Sequence, residues 1–278
     1  MEIVFIFENL KNQSMKKLFV TFLFAGLLCF FPKMIYSQVD LISASARPDL
    51  GVIQKIEKNG FGYIAINEAN QMFSLDSQMG ILSQIDLPNE NYLDLCVHNG
   101  FAYLLLSKDY STGTSLTVLD STISISGIST HNGKRSVILK FSPVFEFIDF
   151  FCNSSVYLQD ISAFGNYIYG AGYSGTNPSE VAKLMKITSS FDENSLEVIQ
   201  GDSRKFFKLY QDSLNGDLFI LGQKGIGTNY KAQGLKYSAN LELQFSMLSA
   251  ELLSTCVDVW GQGNDIFIVY RNAGYWIE

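Results

Sequence analysis

Five short turns, each set between apolar runs, constrain this chain more than any other feature. They read Asn59-Gly60, Asn99-Gly100, Gly165-Asn166, Asn215-Gly216 and Gly263-Asn264. An aromatic ring follows four residues after the first turn residue in every case: Tyr63, Tyr103, Tyr169, Phe219 and Phe267. Asn-Gly and Gly-Asn between apolar runs predict β-hairpins, because both residue types accept the positive φ that tight hairpin turns demand. One unit is therefore written five times. No helical periodicity sustained over three turns occurs after residue 38, which excludes an α/β reading of the same segments.

A second hairpin follows each of the first four. Aligning its turn residues Asp76, Ser142, Thr188 and Ser238 gives steps of 66, 46 and 50 residues, and the inner turns from Asn99 onward step by 66, 50 and 48. Both series contain one long step, which predicts an inserted loop at 108–136, rich in Ser, Thr and Gly. Two hairpins in about 40 to 50 residues make a four-stranded antiparallel sheet, the period of a β-propeller blade. The expected fold is all-β, a β-propeller of about five four-stranded blades over residues 38–278. The fifth unit reaches Glu278 after about three strands. Two architectures follow: a five-bladed ring closed by pairing Val39–Ser43 into the last blade, or an incomplete larger propeller.

These repeats resemble those of secreted bacterial β-propeller proteins. The resemblance is carried by Asp160 followed by Gly165-Asn-Tyr-Ile-Tyr-Gly-Ala-Gly-Tyr-Ser-Gly175, and it extends over residues 50 to 278. Phe73-Ser-Leu-Asp-Ser-Gln-Met-Gly-Ile-Leu82 is similar to the outer strands of quinoprotein-type repeats. The tryptophans of such repeats are missing, since the chain has only Trp260 and Trp276, so no bound quinone or other cofactor is implied. Ser74-Leu-Asp76 is similar to a sialidase Asp-box but lacks its glycine spacing and aromatic residue, and is read as turn chemistry.

The first 37 residues read as an export signal. Met15-Lys16-Lys17 precedes an apolar run from Leu18 to Phe31, then Pro32 and Tyr36-Ser37-Gln38. The run is shorter than the roughly 20 residues a spanning helix needs. The pattern resembles signal peptides of Gram-negative bacteria and predicts a signal helix over 1–37, cleaved after Ser37, with Met15 as the expected start. It implies a location in the periplasm, at the cell surface or outside the cell. Cys96, Cys152 and Cys256 then remain, an odd, widely spaced set unlike a disulfide framework. With 17% charged residues and a net charge of -7, the chain lacks the clustered Lys and Arg that bind phosphate backbones, which excludes nucleic acid as a partner.

The chemical candidates are Asp94, Asp160, Asp212 and Asp258 on the first strand of each inner hairpin. Three fall five residues before the first turn residue, Asp212 three before, and the first unit carries Gln54 there. Innermost strands line a propeller's axis, so these carboxylates are expected to converge on it. There they suit a cation with oxygen ligands or general acid–base attack on a sugar. Reuse of an Asp in most blades equally suits hydrogen bonding to a turn or a neighbouring strand. Neither His98 nor His131 has partners at metal-ligand spacing, and no nucleophile-elbow, phosphate-loop or zinc-protease motif occurs. Tyr110, His131 and Arg135 in the insertion are the candidate loop contacts. The expectation is a non-catalytic exported propeller that binds a protein or glycan. A carbohydrate-active hydrolase or lyase using the axial Asp residues, and a fragment of a larger propeller, are the alternatives.

Overall fold

The computed structural model describes residues 49–60, 62–109, 113–125, 131, 133–152, 156–176, 179–225, 231–249, 254–262 and 265–272. The expected signal region and the closing strand Val39–Ser43 lie outside them.

The first hairpin pair forms a sheet of β1 (Ile53–Asn59), β2 (Gly62–Asn67), β3 (Gln71–Leu75) and β4 (Ile81–Asp86) in sequence order. The second combines β5 (Asn91–His98) and β6 (Phe101–Asp109) with β9 (Lys134–Phe141) and β10 (Phe147–Cys152). Between β6 and β9 the chain makes a separate hairpin, β7 (Ser115–Val118) and β8 (Ser121–Ser124). The third sheet is β11 (Tyr157–Phe164), β12 (Tyr167–Ser174), β13 (Val181–Thr188) and β14 (Glu197–Gln200). The fourth is β15 (Lys205–Gln211), β16 (Leu218–Lys224), β17 (Lys231–Tyr237) and β18 (Leu243–Leu248). Two strands, β19 (Ser254–Gln262) and β20 (Asp265–Asn272), form the fifth sheet.

The first strands of successive sheets pack side by side: β1 on β5, β5 on β11, β11 on β15 and β15 on β19. That succession of inner strands is the blade arrangement of a β-propeller. Among the described residues the first and fifth blades do not meet, so the blades form an open series. Apolar layers fill the spaces between blades. Ile64, Ile66 and Met72 of blade one meet Leu95, Leu104 and Leu139 of blade two, and Tyr169, Ala171 and Leu184 of blade three meet Leu209, Ile220 and Leu235 of blade four.

The insertion is not a bare loop. β6 runs to Asp109, and Leu116, Val118, Ile123 and Ile125 of the inserted hairpin are buried in the layer between blades one and two. Leu-x-Val and Ile-x-Ile alternation inside a Ser/Thr-rich stretch is a strand signature that composition alone obscures.

Each inner strand carries a bulge at one place. The register shifts between Ile53 and Lys55, Tyr92 and Asp94, Leu158 and Asp160, Phe206 and Lys208, and Cys256 and Asp258. Lys55, Asp94, Asp160, Lys208 and Asp258 therefore share one structural position. In blade one Asn59 pairs with Gly62, so the hairpin closes one residue later than Asn59-Gly60. Asn59 continues the ladder and Gly60 takes a φ of 59°. Ile64, not Tyr63, then occupies the place of Tyr103, Tyr169 and Phe219. A slip of one residue moves a side chain to the opposite face.

The outer hairpins turn in one way. Asp76, Ser142 and Ser238 each accept two backbone amides with their own side chains, at 2.7 to 3.3 Å. The residue three positions on is Met79, Phe145, Phe191 or Leu241, with φ of 65°, 64°, 57° and 62°, and each of these side chains is buried. A left-handed conformation costs a bulky residue about 1 to 2 kcal/mol, and burying the side chain offsets that by about 1.5 to 3 kcal/mol. Phe145→Ala is expected to lower the unfolding free energy by about 3 to 5 kcal/mol. Phe145→Gly, which frees the backbone, is expected to lose about 1 kcal/mol less. Urea denaturation of the two variants checks this; a glycine variant less stable than the alanine variant would remove φ from the explanation.

Candidate functional site

The inner strand of a blade is an edge strand, and every second amide points away from its own ladder. Two such amides are received by carboxylates of the preceding blade. Asp94 Oδ2 accepts the Ile161 N–H at 2.9 Å, and Asp160 Oδ2 accepts the Leu209 N–H at 2.9 Å. Both carboxyls sit at the position after the bulge and are nearly buried, 8% and 5% exposed. Lysines at that same position complete the pattern. Lys55 Nζ lies 3.4 Å from Asp94 Oδ1, and Lys208 Nζ lies 3.7 Å from Asp160 Oδ2. Along the axis the order is Lys, Asp, Asp, Lys, Asp.

Asp94 and Asp160 lie near one another at the axis. Burial, then the charge and hydrogen bond of Asp94, hold the Asp160 carboxyl well above the usual carboxylate range, against the pull of Lys208 and the Leu209 amide. Glu57, two residues beyond Lys55, reaches solvent yet is crowded by protein. Burial, with the Asp94 charge beside it, raises its pKa from 4.5 to about 7, and Lys55 opposes the shift. Burial and then the same carboxyls push the Cys96 thiol well up. Carboxyls are the groups that general acid–base work uses, but Asp94 and Asp160 each have an oxygen committed to a neighbouring strand. Among the described residues no group of three or more His, Cys, Asp or Glu side chains is placed to hold a metal ion.

Asp212 does not join this pair. β15 ends at Gln211 and β16 begins at Leu218, so the fourth turn is longer than the two-residue turns elsewhere and Asp212 opens it. Its Oδ1 accepts the Leu214 amide at 2.9 Å. Counting back from the turn misplaces the axial position here, and Lys208 fills it. In blade one Gln54 is the bulge residue and Lys55 fills the position. Asp258 has the equivalent backbone place in β19; its side chain lies outside the described residues. Asp76, the Asp-box candidate, caps its own turn.

Of the insertion candidates, Tyr110 lies outside the described residues. His131 stacks on Tyr157 with ring centroids 5.4 Å apart and meets the Tyr173 ring edge-on at 4.9 Å. Its Nδ1 is 3.0 Å from the Gly175 carbonyl oxygen, so it fastens the insertion to blade three. Arg135 is not a loop residue: it lies in β9 opposite Lys108, 2% exposed, with Nη1 3.7 Å from Cys152 Sγ. His98 reaches across to the Gly165 carbonyl of the next blade's turn at 2.5 Å. Cys96 and Cys152 are free thiols.

A polar group that the sequence did not flag lies beside His131's partners. Glu180 receives Arg204 Nε and Nη2 at 2.8 and 2.6 Å and Lys205 Nζ at 3.1 Å. Burial alone would raise its pKa, but the hydrogen bonds from Arg204 and Lys205 outweigh it and lower it. Lys205 also lies over the Tyr173 ring, 4.8 Å from its centroid.

No family model and no curated protein matches the sequence. Among solved structures, a eukaryotic initiation factor is similar at 10% identity and a TM-score of 0.42, over 72% of this chain and 43% of that one. The WD40 domain of Toxoplasma gondii coronin is similar at 8% identity and a TM-score of 0.45, over 71% of this chain and 46% of that one. For the Vanderwaltozyma polyspora Nup133 β-propeller domain the values are 9%, 0.45, 80% and 69%. The chain spans less than half the length of the first two structures. The propeller assignment rests on the strand order and the packing of successive inner strands.

The axis predicts an unusual pH dependence. Glu57 has a folded pKa of about 7 against an ordinary 4.5. The stability it contributes is fully present below pH 4.5 and is lost as pH rises towards 7, and Asp160 acts in the same direction. Chemical denaturation at stepped pH should show stability falling across that interval, and Glu57→Gln should flatten the slope. A wild-type stability that rises through the interval would contradict the assignment.

Proposed function

We propose that this protein is an exported, non-catalytic β-propeller that binds a protein or glycan partner through the face on which the insertion stands. The reading is carried by one observation: the axial carboxylates Asp94 and Asp160 serve the amides of neighbouring strands. A carboxylate that holds two blades together is poorly free to move a substrate's proton. The features that differ between blades lie elsewhere. The inserted hairpin occurs in blade two alone among the described blades, is anchored by buried apolar residues, and stands at the end of the blades where each outer strand leads into the next inner strand. Loops raised on a rigid scaffold are the usual seat of recognition. The export signal in residues 1–37 supports a place in the periplasm, on the surface or outside the cell, and the acidic, low-charge composition supports a partner other than nucleic acid.

A second reading, a carbohydrate-active hydrolase or lyase, is favoured by the Asp160 carboxyl, which burial and the neighbouring Asp94 hold above the usual carboxylate range. A glycan panel screened for both retention and cleavage separates the two. The binding reading expects no turnover by the wild-type protein and retention, where found, that survives Asp94→Asn and Asp160→Asn. Turnover by the wild type that either substitution abolishes would replace it with the enzymatic reading.

A further inference from the structure

The two ends of the blades differ in charge, although Lys and Arg are not clustered along the sequence. At the end where the insertion stands, blades two to four place Lys134, Lys183, Arg204, Lys205, Lys224 and Lys231 at or near their strand ends, each partly exposed. The acidic residues there are fewer. Asp109 lies opposite Lys134 in the β6–β9 ladder, and Asp120 is at the tip of the inserted hairpin. Glu180 is buried beneath Arg204 and Lys205, and Asp202 lies beside Lys224. At the opposite end of the same blades the exposed charges are acidic: Glu146, Asp192, Glu193, Glu197 and Glu242. Lys140 and Lys186 at that end lie over the rings of their own inner hairpins. Blade one carries the exposed Glu68 and Asp86 at the insertion end, so the basic arc is bounded to blades two, three and four.

The cations are held in place at some cost. Lys224 and Lys231 stand directly opposite one another in the β16–β17 ladder, where like charges are destabilising. Asp202 Oδ2, 2.5 Å from Lys224 Nζ, neutralises one of the two. Arg204 and Lys205 share the single carboxylate of Glu180, so that group keeps a net positive charge. Lys205 lies over the Tyr173 ring, and His131 of the insertion meets the same ring, which ties the arc to the insertion. The inserted hairpin adds a different surface. Ser115 is paired with Ser124 and Thr117 with Thr122 across the ribbon. All four are exposed, while Leu116 and Ile123 between them are buried. The outer face of that ribbon is thus a patch of hydroxyls, each able to donate and accept. We propose that this end of the molecule binds an acidic polysaccharide, whose carboxylates meet the Lys and Arg arc and whose hydroxyls meet the Ser/Thr face of the hairpin. This rests on the reading that the insertion face recognises a partner, and it names the partner's chemistry. Protein interfaces are built round aromatic and apolar anchors, and Tyr157 and Tyr173, the tyrosines among these cations, are only 6% exposed. An arc of charge across three blades suits an extended polyanion instead.

Calorimetric titration of the full chain with polygalacturonate, at about 0.05 M and about 0.5 M salt, tests the proposal. Dextran serves as the neutral glycan and poly-glutamate as the acidic peptide. Binding to polygalacturonate is expected at the lower salt and is expected to be lost at the higher. Lys224→Gln with Lys231→Gln should weaken it on the order of tenfold. That variant removes a like-charge pair and should unfold no more readily than the wild type; Lys183→Gln serves if it fails to fold. Thr117→Val should weaken binding to polygalacturonate. Absence of binding at the lower salt, or affinity unchanged in both lysine variants, would overturn the proposal. Equal affinity for poly-glutamate would overturn it in favour of an acidic protein. Self-association at low salt without polysaccharide, abolished by the same lysine substitutions, would give the arc to the acidic end of a second copy. Binding of dextran alone would overturn the proposal and leave the partner-binding reading standing. Cleavage of bound polygalacturonate would support the ligand and overturn the non-catalytic reading, so the two fail separately.

Discussion

Blade two is joined to blade three, and blade three to blade four, at the axis by a side-chain carboxylate of one blade bonded to a backbone amide of the next. An inner strand has no hydrogen-bonding neighbour on one side, and its outward amides would otherwise lie close to the axis without partners. Asp94 and Asp160 supply them. The bulge before each Asp turns the side chain towards the following strand. At the other end of the blades the repeated aromatic does similar work: the Tyr103 hydroxyl donates to the Ser189 carbonyl at 3.5 Å, and Tyr169 donates to Ala239 at 3.0 Å. Lys140 adds a third tie to Ser189 at 2.7 Å. At these two junctions the attachment is therefore polar at both ends and apolar between.

That arrangement divides the chain between what repeats and what does not. The turn caps, the buried left-handed residues and the axial position repeat, and each has a structural task visible in its hydrogen bonds. The alternation of Lys and Asp at the axial position breaks strict repetition. It lets adjacent blades meet through opposite charges at β1–β5 and at β11–β15, and through the Asp94 carboxylate and the Ile161 amide at β5–β11. The inserted hairpin and the Glu180–Arg204–Lys205 group lie off the axis and belong to particular blades, which is why we propose that side of the molecule for recognition.

Much of the architecture was legible in the sequence. Spacing between Asp76, Ser142, Thr188 and Ser238 marked four true turns, because the capping side chain is a local requirement of the turn itself. The axial site was legible in part. Asp94 and Asp160 were found from their distance to two-residue turns, and the same rule failed at Asp212 because its turn is longer. It failed at Gln54 because the first hairpin closes one residue late. Lys55 and Lys208 escaped notice since their role depends on a bulge, which leaves no mark in composition, and Glu57 matters only through carboxyls brought beside it by another blade. Arg135 was misplaced because β9 begins earlier than the Ser/Thr-rich stretch suggests.

The central claim is that the Asp94 carboxylate fastens blade two to blade three. It is tested most directly by the equilibrium unfolding free energy of Asp94→Ala at neutral pH. Removing an acceptor that serves a buried amide and a lysine is expected to cost about 1.5 to 3 kcal/mol. A change within about 0.5 kcal/mol of the wild type, the range of an ordinary surface substitution, would contradict it.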